Sequence, residues 1–270
     1  MRQYLSVLLL LVSTIVFAQS DSLPFGFKKD TGYYTSFDGT RIYYETYGKG
    51  KAVVLIHGFI VNSMSWKNTR LFQDLLTNGY KVVLMDLRGN GRSDKPQNEA
   101  AYAHDAEARD IMGLVRYLHL GHYDVVGYSR GSIITARLLI LDRRVHTAVL
   151  GGMGSGFTNP YWPRRILFYS ALSGKPIKEL QSMVDYVKQQ GLDMQVLAYL
   201  QKYQPSTSES ALGRIKRKVL VISGDKDQDN GSANDLCKMI HNSIFISIPG
   251  DHNSASKSRE FSEAIVSFLK

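Results

Sequence analysis

The chain of 270 residues contains a single cysteine, Cys237. Because a disulfide within the chain needs two cysteines, the fold must rest on a hydrophobic core instead of on covalent cross-links. Cys237 falls in a predicted helix, where we expect it to behave as a small core side chain.

Long apolar runs and clustered basic residues are also scarce. After the first twenty residues, no stretch reaches the roughly 20 apolar residues that a transmembrane helix needs. Lysine and arginine outnumber aspartate and glutamate by 33 to 24, but the basic residues are scattered and are not interleaved with aromatic residues. This distribution argues against nucleic acid as a partner and indicates a solvated basic surface.

The N-terminus has the layout of a secretory signal peptide. Arg2 supplies a positive charge, an apolar run covers 5–17, and Ala18 is a small residue before a polar segment. We predict cleavage after Ala18, so that residues 1–18 are a signal peptide and the mature protein is secreted or periplasmic. An uncleaved anchor is the alternative, but the run is shorter than the roughly 20 residues that span a bilayer. We therefore expect no stable membrane insertion after cleavage.

The rest of the chain alternates between strands and helices. Two β-rich segments, 33–37 and 41–47, flank Asp38-Gly39 and predict an antiparallel hairpin. Beyond them, short continuous apolar strands alternate with helical patterns, one of which covers 66–77. Repeated β-α-β units predict an α/β fold, with a mostly parallel twisted sheet and helices on both faces.

The segment 151–212 interrupts this alternation. It is too long for one crossover and contains several helical patches, which predicts a helical cap inserted into a core made of 19–150 and 213–270. Arg164 and Arg165 are candidates for binding a substrate carboxylate, with a solvated cap surface as the alternative. Large apolar residues of the segment either line a pocket or pack in a core. These residues are Met153, Phe157, Tyr161, Trp162, Phe168 and Tyr169.

The run G-Y-S-R-G at 127–131 is the strongest chemical signal. It follows a predicted strand and opens a predicted helix, which is the setting of a nucleophile elbow. Side chains at Gly127 or Gly131 would collide with neighbouring elements in so sharp a turn, and the turn holds Ser129 in a strained conformation. The N-terminus of the following helix favours negative charge that develops near the Ser129 hydroxyl.

Two further motifs accompany this elbow: His57-Gly58-Phe59 after the first parallel strand, and D-L-R-G-N-G-R-S at 86–93 after the next. In order and spacing, the three motifs together resemble the α/β-hydrolase superfamily. The resemblance covers about 33–270, although the cap carries no recognisable family motif. The glycines at 86–93 also suggest a phosphate loop, but they open no helix and no Gly-Lys-Ser/Thr follows, so we expect a structural role.

The resemblance implies a triad in which a base activates the serine hydroxyl. It assigns the general base to His252, after the last predicted strand, and the acid that orients this base to Asp227, three residues after Gly224. We interpret the neighbouring Asp225 and Asp229 as turn and capping residues. Many relatives have a proline soon after the acid, and this chain does not.

The same resemblance implies an oxyanion hole made of two backbone N–H groups, those of Phe59 and Arg130. His57 and Gly58 then support the loop that carries Phe59. No metal or organic cofactor is implied.

From these residues we predict a serine hydrolase that cleaves carboxylic esters, or related acyl bonds, of small to medium substrates through an acyl-enzyme on Ser129. The expected partner is a small ester-like molecule. Three alternatives stay open on the same scaffold: cleavage of amides or peptides, cleavage of carbon–carbon bonds, and ligand binding without catalysis. The cap and the pocket decide among them, because the fold does not.

Overall fold

The computed structural model describes residues 29–270. The predicted signal peptide, residues 1–18, lies outside the described residues, so its cleavage and the export of the protein stay predictions. Within the described range, no helix combines the length and the apolar character needed to cross a bilayer.

The described residues form one sheet of eight strands in the order β1-β2-β4-β3-β5-β6-β7-β8. The strands are β1 (Lys29–Thr35), β2 (Arg41–Tyr47), β3 (Ala52–Ile56), β4 (Lys81–Met85), β5 (Tyr123–Tyr128), β6 (Val145–Gly151), β7 (Lys218–Gly224) and β8 (Ser243–Ile248). Strand β2 runs antiparallel to β1 and β4, and the other pairs are parallel. The predicted mostly parallel sheet is therefore confirmed.

The hairpin turns at Asp38-Gly39 as predicted, with Thr35 opposite Arg41. Strand β1 begins at Lys29, four residues before the predicted start, because its polar residues pair with β2 although most of them face solvent. The alternation that marks a half-buried strand is absent from this polar end, which is why the sequence pattern did not include it.

Ten α-helices flank the sheet or form the cap. They are α1 (Met64–Lys67), α2 (Arg70–Thr77), α3 (Ala106–Tyr117), α4 (Arg130–Leu141), α5 (Pro163–Leu172), α6 (Gln181–Gln189), α7 (Met194–Lys202), α8 (Glu209–Leu212), α9 (Ala233–Lys238) and α10 (Arg259–Leu269). This count applies to residues 29–270, and four short 3₁₀ turns accompany the helices.

The prediction of one continuous helix over 66–77 is wrong, because the chain breaks between α1 and α2. Thr69 has an extended backbone (φ −100°, ψ 151°), its hydroxyl donates to the Trp66 carbonyl, and it accepts from the Phe72 N–H. This N-cap satisfies a backbone donor at the start of α2 and stops the helix that precedes it. Threonine is a common N-cap, so its position inside an apolar helical pattern was the signal available in the sequence.

Two hydrophobic clusters fill the two faces of the sheet. Alternate residues of a strand serve different faces, so that Val53 and Leu55 pack against α2 and α10, whereas Val54 and Ile56 pack against α3 and α4. All residues of β3 and β5 are buried. A site at the carboxyl ends of these strands therefore has a support that is packed on both sides.

The helices α5, α6 and α7 lie between β6 and β7 in the sequence. Their buried residues, such as Leu172, Val187 and Leu197, form a third hydrophobic cluster, which also includes Tyr102 of the core. The ends of the predicted cap segment pack differently. Phe157 and Leu212 belong to a sheet cluster, because the chain leaves β6 and returns toward β7 along the core. We use "cap" below for residues 163–202.

The loop at 86–93 makes structural contacts, in agreement with the interpretation of its sequence. The carboxylate of Asp86 accepts backbone N–H bonds from Ser63 and Arg92. The guanidinium of Arg88 is fully buried and donates to both carboxylate oxygens of Asp110 at 2.6 Å. An arginine whose bonds are taken in this way is a brace for the loop and has no donor left for a phosphate.

Candidate active site

Ser129 occupies the sharp turn between β5 and α4. Its backbone angles are φ 54° and ψ −123°, in a region that residues with a side chain rarely adopt. The Ser129 N–H donates to the Gly151 carbonyl on the neighbouring strand at 2.8 Å, which holds the strained turn in place.

The two glycines that flank the turn are required by close backbone packing. A Cβ on Gly131 would lie 2.2 Å from the Ile56 carbonyl oxygen, and one on Gly127 would lie 2.3 Å from the Gly131 carbonyl oxygen. At Gly58 the nearest atom to an added Cβ would be the Ser129 Cβ, at 3.4 Å, which is an ordinary contact. Gly58 can therefore support the Phe59 loop without a steric requirement for glycine at this position.

Ser129, His252 and Asp227 form a continuous hydrogen-bonded chain. The Ser129 Oγ lies 2.9 Å from His252 Nε2, and His252 Nδ1 lies 2.8 Å from Asp227 Oδ2. These residues are up to 123 positions apart in the sequence and meet because β5, β7 and β8 end at the same edge of the sheet. The arrangement allows the serine to donate to the imidazole and the imidazole to donate to the carboxylate.

The two other aspartates near Asp227 have different partners. Asp225 accepts the Gly250 N–H at 2.9 Å and so fastens the start of the loop that carries His252. Asp229 lies 3.5 Å from the Arg164 guanidinium. Only Asp227 of these three reaches the imidazole, and its second oxygen, Oδ1, is buried without a hydrogen-bond partner among the described residues.

Tyr128, which precedes the serine, also holds His252. Its hydroxyl donates to the His252 carbonyl at 2.7 Å, and the two rings lie 5.4 Å apart. Burial, together with the nearby charge of Asp227, raises the pKa of Tyr128 well above its usual range, so the hydroxyl stays protonated and remains a donor. The sequence analysis did not identify this contact, because the residue before the serine carried no pattern beyond the motif.

The backbone N–H groups of Phe59 and Arg130 are free to bind an anion. Arg130 is the first residue of α4, so its N–H has no acceptor within the helix. The Phe59 N–H donates to no other residue between 29 and 270. His57 is fully buried between its own loop and the next, with Nδ1 donating to the Gly58 carbonyl and Nε2 accepting the Leu87 N–H. Both ring nitrogens are thus occupied away from Ser129.

The side chain of Arg130 links the nucleophile turn to the cap, which sequence reasoning missed. Its two terminal nitrogens donate to the Glu107 carboxylate at 2.5 Å, and one of them also donates to the Leu200 carbonyl of α7 at 3.0 Å. The ion pair is buried. Glu107 lies 23 residues before Arg130 in the sequence, and no local pattern relates the two positions.

Two spaces meet at Ser129 and His252. The smaller one, about 400 Å³, is called the arginine pocket here and is lined by Arg130, Arg164, Arg165, Gln201, Gln204 and Asn230 beside apolar side chains. The larger one, about 1800 Å³, is called the wide groove and has Ile60, Val61, Trp66, Met183 and Tyr186 among its walls.

The candidate lining residues of the cap segment divide into three groups. Met153, Trp162 and Phe168 line the arginine pocket, as do Arg164 and Arg165. Phe157 lies in the core and Tyr169 packs against the cap cluster. Tyr161 is 78% exposed and reaches neither space. Helical spacing alone did not separate these groups, because all of them satisfy it.

Within residues 29–270, no cluster of three or more histidine, cysteine, aspartate or glutamate side chains has the arrangement of a metal site.

Comparison with known proteins agrees with the fold. A family model described as "alpha/beta hydrolase fold" matches residues 51–169, which include β3, the elbow and the start of the cap. The described chain therefore has the α/β-hydrolase fold. A solved esterase from Exiguobacterium antarcticum has the same α/β-hydrolase fold, with a TM-score of 0.72, 24% identity, and coverage of 89% of this chain and 99% of that one.

The curated relatives that match part of the chain differ in the activities that their names give. A non-heme chloroperoxidase from Streptomyces lividans is 37% identical over 123 residues, or 44% of this chain and 43% of the relative. A 2-hydroxy-6-oxononadienedioate/2-hydroxy-6-oxononatrienedioate hydrolase from Pseudomonas putida is 34% identical over 126 residues, or 46% and 44%. The chain thus matches less than half the length of these curated relatives.

Proposed function

We propose that this α/β-hydrolase is a serine hydrolase of carboxylic esters. The observation that carries the proposal is the hydrogen-bonded chain Ser129–His252–Asp227 on a strained elbow, beside two spaces that can receive the two halves of an ester. Acyl transfer needs a nucleophile, a base and an acid in this order, and in this site each of the three side chains lies within hydrogen-bonding distance of the next.

In the first half-reaction, Ser129 Oγ attacks the ester carbonyl while His252 Nε2 takes its proton. Asp227 stabilises the imidazolium that forms and keeps Nδ1 protonated. The negative charge moves to the carbonyl oxygen, which accepts hydrogen bonds from the N–H groups of Phe59 and Arg130 in this proposal. The tetrahedral intermediate collapses to an acyl-enzyme, and His252 returns the proton to the departing alcohol.

In the second half-reaction, water attacks the acyl-enzyme. His252 takes a proton from the water, the same N–H groups bind the second oxyanion, and the acid leaves when Ser129 recovers its proton. The net reaction consumes one ester and one water and releases one acid and one alcohol.

A second candidate is hydrolysis of a carbon–carbon bond in a substrate that carries carboxylates. Two observations favour it: the cap arginines beside Ser129, and the dioate substrates named for the Pseudomonas putida relative. The same triad serves this reaction, so the rates on ester and on carbon–carbon substrates distinguish the two candidates. Amide cleavage and ligand binding without catalysis are the remaining outcomes.

The test is hydrolysis of 4-nitrophenyl esters from acetate to decanoate by the purified protein and by Ser129→Ala. We expect kcat/KM to fall at least about 10³-fold in the variant, since removal of a triad nucleophile leaves only binding and the oxyanion hole. Labelling by a fluorophosphonate, in native and denatured protein, measures the reactivity of the serine independently of turnover.

Thermal unfolding of Ser129→Ala serves as the control for folding, and we expect it to match the wild type within a few degrees. Equal turnover by the two proteins on every ester would exclude the proposal. Labelling without ester turnover would instead direct the search toward carbon–carbon or amide substrates.

A further inference from the structure

The arginine pocket combines several cationic and amide side chains with no acidic residue in its lining. Two of the three arginines have acidic partners outside the lining of the pocket: Arg130 is paired with Glu107, and Arg164 lies 3.5 Å from Asp229. The third, Arg165, differs from both.

Arg165 is half-buried and carries an uncompensated charge. Its one hydrogen bond goes from Nη1 to the Gln204 carbonyl at 3.2 Å, and no carboxylate in the described chain pairs with it. Burial without such a partner lowers the pKa of Arg165. A guanidinium in this state has lost water and has gained no counter-ion, so an anion that enters the pocket would relieve the cost.

Neighbouring donors also lack partners. Gln201 and Gln204 are only 5% and 6% exposed, and their side-chain amides make no hydrogen bond within residues 29–270, although both line the pocket. The Nε–H of Arg130, a further lining residue, is buried without an acceptor in the same part of the chain. Buried donors are normally satisfied, so the Arg130 Nε–H, beside two glutamine amides that line the same pocket without a partner, indicates a missing acceptor.

We propose that the arginine pocket binds a carboxylate of the substrate, with Arg165 as its principal partner, while the uncharged and bulkier part of the substrate lies in the wide groove. This inference rests on the proposed function for the reaction, and it specifies the substrate class as esters that carry a carboxylate.

The chemistry of the donors supports a carboxylate in particular. A guanidinium donates two parallel hydrogen bonds that match the two oxygens of a carboxylate, and the glutamine amides add neutral donors beside it. The arginine pocket is the smaller of the two spaces and suits a short acyl chain with a terminal acid. The wide groove has mostly uncharged walls, among them Ile60, Val61 and Met183, and suits an apolar alcohol.

The test compares two esters of the same shape. One is the 4-nitrophenyl monoester of adipic acid, and the other replaces the remote carboxylate with an uncharged carboxamide. We expect the wild type to prefer the anionic ester, and we expect Arg165→Gln to lose about 10- to 100-fold of that preference in the ratio of the two kcat/KM values. Arg165→Lys keeps the charge without the paired donors, so its preference for the anionic ester should lie between those of the wild type and Arg165→Gln.

Arg217 offers a matched control outside the site. It is also half-buried, makes one hydrogen bond to a backbone carbonyl, that of Leu139 at 2.9 Å, and has no acidic partner in the described chain. Arg217→Gln should leave the ratio of the two rates unchanged. If Arg165→Gln and Arg217→Gln give the same ratio as the wild type, or if the wild type prefers the carboxamide, the assignment of the pocket is overturned.

A binding measurement separates this inference from the proposed function. Calorimetric titration of Ser129→Ala with adipate, and with uncharged adipamide, needs no turnover. Binding of adipate that Arg165→Gln abolishes would uphold the anion site even if no ester is cleaved. Ester turnover by the wild type with no adipate binding and no effect of Arg165→Gln would uphold the function and reject the site.

Discussion

The sheet and the cap are stabilised in different ways. The sheet has a hydrophobic cluster on each face, whereas the cap helices share one small cluster. Buried ion pairs follow the same division: Arg88–Asp110 and Arg130–Glu107 lie in the sheet core, while Lys202–Glu99, between the cap and a core loop, is exposed. The proposed catalytic side chains belong to the first region, whereas Arg164 and Arg165 of the arginine pocket belong to the second.

This difference separates two requirements of an enzyme. A proton transfer needs distances near 2.9 Å, which a support packed on both sides can maintain. Recognition of a substrate tolerates more adjustment, and a surface with fewer buried contacts can change without disturbing the reacting groups. Three predictions examine whether the two regions are as separate as their packing indicates.

The largest effect is expected for Gly131→Ala, in the sheet region. Its Cβ would lie 2.2 Å from the Ile56 carbonyl oxygen and 2.8 Å from that of His57. Because both neighbours are backbone atoms, we expect a loss of about 3 kcal/mol or more in the free energy of unfolding. The accompanying shift of Ser129 should lower kcat/KM by about 100-fold. Chemical denaturation and the ester assay measure the two effects.

Gly121→Ala is the matched control, because nothing lies within 4 Å of an added Cβ at that position. If the two alanine variants are equally stable and equally active, the sheet edge is more adaptable than its packing indicates, and the comparison between the regions fails.

The second largest effect is a loss of stability at acidic pH, caused by protonation of the buried Glu45 side chain on β2. Burial opposes ionisation of this side chain, but the Lys67 ammonium at 2.5 Å and the Tyr43 and Tyr47 hydroxyls outweigh it and lower the pKa of Glu45 to about 2. The ordinary value is 4.5. Stability from this group is therefore complete above about pH 5 and is lost as the pH falls toward 2, by about 3 kcal/mol in all.

Urea denaturation of wild type and Glu45→Gln between pH 7 and pH 2 isolates this contribution, because the difference between the two curves should shrink below pH 4.5. Glu99→Gln, which removes the exposed carboxylate paired with Lys202, should leave the pH dependence unchanged. A constant difference between wild type and Glu45→Gln over the whole range would contradict the assignment.

The smallest effect on the whole molecule is expected for Leu197→Ala, in the cap cluster. Leu197 is buried on α7, and its truncation should cost about 2 kcal/mol. Because the cap cluster is separate from the sheet clusters, hydrogen exchange should accelerate in residues 163–202 and stay unchanged in β5. Fluorophosphonate labelling of Ser129 should change by no more than a few-fold.

Leu55→Ala, in a sheet cluster, makes the same truncation in the other region and should accelerate exchange throughout the sheet. Equal acceleration in β5 by the two variants would mean that cap and sheet unfold as one unit.

The same division explains how much of the molecule the sequence predicts. Buried parallel strands and the nucleophile elbow are local patterns, so the mostly parallel sheet follows from them, and Ser129, Asp227 and His252 follow from motifs at strand ends. The break at Thr69 is also local, but it competes with an apolar helical period that continues through it. Local sequence patterns therefore suffice to predict the elements whose own hydrophobic period determines which of their residues are buried.

Contacts between distant segments were not predictable in this way. The bond from Tyr128 to His252 and the ion pair of Arg130 with Glu107 depend on how loops and helices pack after the sheet has formed. The division of the large side chains of 151–212 into pocket, core and surface depends on how the loops and helices of that segment pack on the sheet, which a helical period does not determine.

The bond from Arg130 to α7 has a consequence for the divergence of such enzymes. Its acceptor is the Leu200 backbone carbonyl, which every amino acid supplies at that position. The residue that follows the nucleophile can therefore remain anchored to the region above it while the side chains of that region are replaced one by one. When helical segments are exchanged between homologous hydrolases, the hybrid protein should fold most often if a helix carbonyl is kept where it accepts from the arginine after the serine, whatever the surrounding sequence is.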